Sequence, residues 1–88
     1  MNRERRKQIA AAREKIEGIA TDIQAVIEAL QEIRDDEESA RESLPPSLQE
    51  GERAQQMQES IEALEDAIGT LESFDLEDIG ETLERAAS

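Results

Sequence analysis

The 88-residue chain contains no cysteine, no histidine, no tryptophan and no tyrosine. Each absence removes a class of chemistry. Without cysteine there is no disulfide to staple a small core and no thiolate metal ligand. Without histidine the chain lacks the commonest general base and the commonest nitrogen ligand. Phe74 is the sole aromatic residue, so the stacking platforms that bind single-stranded nucleic acid are missing. No apolar run approaches the roughly 18 residues of a membrane span. The basic start, MNRERRK, leads into alternating charge rather than the apolar segment of a signal peptide.

What the chain has in quantity is negative charge. Ten Lys and Arg against 23 Asp and Glu give a net charge of −13. Such a surface repels duplex DNA and anionic membranes, so neither is an expected partner. The charge is uneven. Residues 1–15 hold six bases and two acids, a net +4, and the remaining residues hold four bases and 21 acids, a net −17. High charge with few aromatics is also a mark of disorder, but here the apolar residues are regularly spaced.

That spacing defines the fold class. Ile9, Ala12, Ile16, Ile19, Ile23, Val26, Leu30 and Ile33 recur at alternating intervals of three and four, an a/d heptad seam on one helix. It continues to Ala40 and Leu44, with Glu37 as the charged exception. Ala20, Ile27 and Ala29 flank the seam and widen it, which suits a bundle better than a narrow two-stranded coil. Ala54, Met57, Ile61, Leu64, Ile68 and Leu71 repeat the pattern. This second seam then meets Asp75 and Asp78, and a shifted one follows through Leu76, Ile79, Leu83 and Ala86. Asp75 has the character of a helix N-cap, so a short third helix or a kinked extension is expected over residues 75–87. IEAL occurs at 27–30 and again at 61–64, a recurrence between two alike amphipathic helices.

Between the seams lies SARESLPPSLQEGER, which holds both prolines. Pro45 pushes Leu44 out of helical geometry and ends the first helix. Ser47 with Glu50 has capping-box spacing, and Gly51 before Glu52 offers a second start one turn later. The expected architecture is one all-α domain, an antiparallel helical hairpin. Helix one covers about 3–43, the turn 44–51, helix two 52–73 and the C-terminal segment 75–87. Folding about residue 47 places residue i opposite roughly 94 − i, with Leu71 near Ile23 and Arg85 near Ile9. The acidic end then lies beside the basic start, and each set offsets the other's unfavourable place on its helix dipole.

Carboxylate-rich stretches invite a metal reading. Asp35, Asp36, Glu37 and Glu38 lack an acid at position 41, where the E-E-x-x-E pattern of all-α nucleotide pyrophosphatases requires one; Arg41 stands there. Glu62, Glu65, Asp66 and Glu72 fall on the solvent side of their heptads. The di-iron bundle motif needs histidine, and the EF-hand spacing is absent. No catalytic residue, cofactor or metal site is assigned. Arg3, Arg5, Arg6 and Lys7 are the candidate anion contact, because arginines from several chains converging in an oligomer suit phosphate.

The stretch ESLPPSLQEGERAQQMQESIEALEDAI, residues 42–68, resembles a pattern in small acidic proteins encoded by phages and prophages. There a basic N-terminal helix leads to an L-P-x-S-L-Q turn, followed by an E-R pair, a methionine and an acidic heptad helix. The matching residues are Leu44, Pro45, Ser47, Leu48, Gln49, Glu52, Arg53 and Met57. The chain departs at Gly51 and Ala54, where the pattern has Ser and Gly. The resemblance implies the hairpin and no activity. With no apolar span and no signal-peptide pattern the expected location is the cytoplasm, that of the host if the chain is phage-encoded.

A hairpin covers one side of such stripes. The expected remedy is self-association, a homodimer forming a four-helix bundle, through the seam residues Ile16, Ile19, Ile23, Val26, Leu30, Ile33, Met57, Ile61, Leu64, Ile68 and Leu71. The functional expectation is a non-enzymatic interaction protein acting on a host protein. The alternatives are an acidic nucleic-acid mimic that occupies a DNA-binding protein, and a nucleotide sponge using the basic end.

Overall fold

Asn2 begins the first helix. Its Oδ1 accepts a hydrogen bond from the Arg5 amide at 2.8 Å, which satisfies one of the four amides that a helix N-terminus leaves open. A computed structural model describes all residues, Met1–Ser88, and every regular element in it is helical. Helix α1 runs Arg3–Glu42, α2 runs Glu52–Glu72, and α3 runs Leu76–Ala87. A single 3-10 turn, Pro46–Leu48, lies between α1 and α2.

The corner is built by the two prolines. Pro45 has an extended backbone, φ −56° and ψ 147°, and no N–H to continue a helix. The 3-10 turn follows, with Leu48 N donating to Pro45 O at 2.8 Å and Gly51 N to Leu48 O at 3.1 Å. This turn occupies Ser47, so the Ser47 start is lost. Gly51 is the N-cap of α2, with extended φ and ψ of −79° and 174° and no side-chain capping bond. A Cβ at residue 51 would stand 3.3 Å from Leu48 O, a tight approach that favours glycine.

Helix α2 ends at Ser73, whose amide donates to Gly69 O and whose hydroxyl donates to Thr70 O at 2.6 Å. Three residues later the chain is helical again. Asp75 leaves helical geometry, and its Oδ1 accepts from the Asp78 amide at 2.9 Å. The break resets the helical phase just where the α2 seam would have reached Asp75 and Asp78. After it, Leu76 and Leu83 face inward and are half-buried.

The chain forms two compact units. Residues 26–73 make one, in which the later part of α1 packs antiparallel to α2. All four fully buried side chains, Ile27, Ala54, Ile61 and Ile68, belong to it. Glu37 borders a groove there with Arg53 and Met57, and residue 57 is the one that a fold about residue 47 sets opposite. Residues 1–25 with 74–88 make the other unit. It has no fully buried side chain; Ile9, Ile16, Ala20, Ile23, Leu76 and Leu83 are half-buried. Arg13 and Glu84 form an ion pair at 3.8 Å, which sets the two helices antiparallel with an offset of three residues from that same fold. A groove of about 350 Å³ separates Arg13, Ile16 and Ala20 on α1 from Leu76, Gly80 and Glu81 on α3.

Candidate interaction surface

Two apolar columns run along α1, and only one is covered. The covered stripe contains Ile9, Ile16, Ile23 and Leu30, joined by Ala20 and Ile27 and by Arg13, Arg34 and Arg41, all at least half-buried. In heptad terms these are the a and e positions. The d positions, Ala12, Ile19, Val26, Ile33 and Ala40, are exposed. Ile19 keeps 50% of its surface in solvent, Val26 47% and Ile33 53%. Of the seam residues of α1, the structure thus draws Ile16, Ile23 and Leu30 inward and leaves Ile19, Val26 and Ile33 outward. The flanking residue Ile27 is the best-buried side chain of the helix.

The arginines explain how an e column packs against a neighbouring helix. A long arginine stem can cover apolar surface while part of the side chain stays in solvent, as for Arg13 and Arg34, whose side chains are 38% and 27% exposed. Arg34 pairs with the adjacent Asp35 at 3.1 Å. The Nε of Arg41 is buried and has no hydrogen-bond partner.

On α2 the seam is turned inward throughout. Ala54, Ile61 and Ile68 are buried, and Met57, Leu64 and Leu71 are half-buried. On α3, Ile79 stands out from the packed face, and Phe74 precedes the helix with 59% of its surface exposed.

The corner has its own lock, which no periodicity announced. The side-chain amide of Gln49 donates to Leu44 O at 2.7 Å and lies 3.4 Å from both Arg41 O and Glu42 O. Leu44 lies two residues beyond α1, and Arg41 and Glu42 are the last two residues of the helix. Gln49 therefore ties the turn to the end of α1, chiefly through Leu44 O. The turn residues Leu44, Pro45, Ser47, Leu48 and Gln49 are brought together as one folded corner, with Leu48 half-exposed at its tip. The 3-10 turn supplies the missing signal: it brings residue 49 back under the end of α1.

The basic residues Arg3, Arg5, Arg6 and Lys7 lie in the first two turns of α1, exposed, and none forms an ion pair. The acidic residues of 52–88, eleven in number against two arginines, are all exposed. No group of three or more acidic side chains is arranged to hold a metal ion. No helix is long and apolar enough to cross a membrane. No protein-family model, no curated protein and no solved structure matches the chain.

Proposed function

We propose that this chain is a non-enzymatic interaction protein, a phage-type accessory factor that works as a self-associated helical bundle and engages a host protein. The observation that carries the reading is the exposed column Ile19, Val26, Ile33 on α1. Three large aliphatic side chains recur at seven-residue spacing on one face of α1, each about half exposed, and a face with repeated exposed aliphatics suits an interaction surface. A hairpin that maximised its own burial would face a and d inward. This one covers the arginine-bearing e column instead and leaves the purely apolar d column free. The resemblance of residues 42–68 to phage-type proteins supports a partner in a host cell.

A second reading draws on the eleven exposed carboxylates of residues 52–88, whose net charge with Arg53 and Arg85 is 2 − 11 = −9. A dense acidic face competes with nucleic-acid phosphates for a DNA-binding protein. Nuclease-treated pull-downs at low and high salt separate the two. The baits are the native protein and a variant carrying Glu62→Gln, Glu65→Gln and Asp66→Asn. The first reading expects a partner retained at high salt and by the neutralised bait. A DNA-binding protein lost under both conditions establishes mimicry, because charge-steered binding weakens steeply with ionic strength. Capture of nothing by either bait contradicts both readings.

A further inference from the structure

We infer that the open face of α1 is covered by α1 of a second copy, running antiparallel, with the twofold axis at Val26. This rests on the self-association just proposed and adds its orientation and register.

The column itself is the first argument. Ala12, Ile19, Val26, Ile33 and Ala40 read the same in both directions about Val26. An isologous contact places a surface against itself, so residue i stands opposite residue 52 − i. Ile19 then meets Ile33 twice, Ala12 meets Ala40 twice, and Val26 meets its own copy. The large side chains fill the centre, and alanines let the helices close at both ends. Ala29, in the column beside the strip between Val26 and Ile33, is small and exposed, and leaves room there for a second helix.

Charge is the second argument. In this register the two copies of α1 overlap over residues 10–42; residues 10–15 carry two bases and one acid, and residues 37–42, which stand opposite, carry three acids and one base. The antiparallel arrangement sets +1 against −2, whereas a parallel one sets like charge against like charge at both ends. Lys15 and Asp36 lie in the column beside the apolar strip, on the side away from the packed face. The register brings Lys15 of each copy to Asp36 of the other, giving two equivalent cross-pairs.

Geometry is the third. With 3.6 residues per turn, the d column lies roughly 80° around α1 from the midline of its a and e columns. Within residues 26–73 the a/e face packs on α2, so in that unit Val26 and Ile33 stand near a right angle to the covered face, as at the corner of a four-helix bundle.

The chain has no cysteine, so single introduced thiols report orientation without interference. Ile19→Cys and Ile33→Cys, one of them isotope-labelled, are mixed and treated with a short bis-maleimide; mass spectrometry then distinguishes the products. Antiparallel pairing predicts that 19–33 products form at least tenfold faster than 19–19 or 33–33 products, and that Val26→Cys couples to itself. Predominance of 19–19 and 33–33 products overturns the inference in favour of parallel pairing. Sedimentation of the same samples separates the two levels of failure. A dimer with no coupling at any of the three positions overturns the inference alone, and a monomer overturns self-association with it. As an independent check, Lys15→Glu is expected to raise the dimer Kd on the order of tenfold. Adding Asp36→Lys should restore most of that loss. A double variant no better than the single one contradicts the register.

Discussion

Removing the Gln49 side chain tests how the corner is held. The amide of Gln49 makes one short bond, 2.7 Å to Leu44 O, and two at the limit of hydrogen bonding, 3.4 Å to Arg41 O and Glu42 O. Gln49→Ala removes the only side-chain donor to this cluster of carbonyls. A net hydrogen bond contributes about 1 kcal/mol, and a part-buried carbonyl left unpaired costs about 1–3 kcal/mol. The two long contacts add little, so the expected loss is about 1–2 kcal/mol. For a chain of this size that lowers Tm by roughly 5–12 °C. Gln49→Glu is the sharper variant. It replaces a donor with a carboxylate facing carbonyl oxygens, and at neutral pH the loss should exceed that of alanine. The folded state disfavours the charged form of the new carboxyl, so its pKa is raised on folding. The variant is therefore relatively more stable below its unfolded pKa and loses that stability as pH rises through the folded value. The assay is thermal unfolding followed by circular dichroism at one fixed protein concentration, at neutral and acidic pH. If Gln49→Ala melts within about 1 °C of the native protein and Gln49→Glu shows no relative gain in acid, Gln49 does not hold the corner.

Other substitutions probe the two units separately. Ile61 is 4% exposed on the packed face of α2, so Ile61→Asp buries an unpaired charge and should cost about 4 kcal/mol or more, read as lost helical circular dichroism at 25 °C; unchanged melting would sink the assignment of that face. Gly80 lies inside α3, with nothing within 4 Å of where a Cβ would project. Gly80→Ala should stabilise by about 0.5–1 kcal/mol through helix propensity alone, and a lower Tm would mean that the groove beside α1 is tighter than described. Asp75→Ala removes the cap on Asp78 N and should cost about 1 kcal/mol. Hydrogen exchange should then quicken across residues 76–87 and change little across 54–71, because the fully buried side chains all lie in the unit formed by residues 26–73; uniform acceleration would contradict that division.

The helical class was written in the intervals of three and four, because such spacing fits one face of a helix and no strand. The a positions Ile16, Ile23 and Leu30 were equally legible, since they belong to the covered stripe on either choice of flank. Which flank joins them was not. On α1 the d column is the more apolar of the two, which by composition points to it as the partner of the a column. The fold packs the e column, where Arg13, Arg34 and Arg41 contribute aliphatic stems that composition counts as polar. The second cap was legible because Asp75 precedes an apolar run at the right distance. At the corner, Ser47 and Gly51 were both credible starts. The two prolines decide between them by committing residues 46–48 to a 3-10 turn. Gln49 is marked by the L-P-x-S-L-Q turn pattern, but its bond to Leu44 O is not, because that depends on where the turn carries it.

Whether the open column of α1 joins two copies is decided by sedimentation equilibrium of the native protein and Val26→Asp. Val26 is 47% exposed within one chain, so an aspartate there disturbs no intrachain core, and helical circular dichroism should persist. In the dimer the substitution places two carboxylates against each other on the axis. The native mass should be near twice the chain's 9.8 kDa, and Val26→Asp should be a folded monomer. A native protein that remains monomeric at about 100 μM, roughly a hundredfold above the micromolar Kd expected of a modest interface, would contradict it; so would a variant that dimerises as tightly as the native chain.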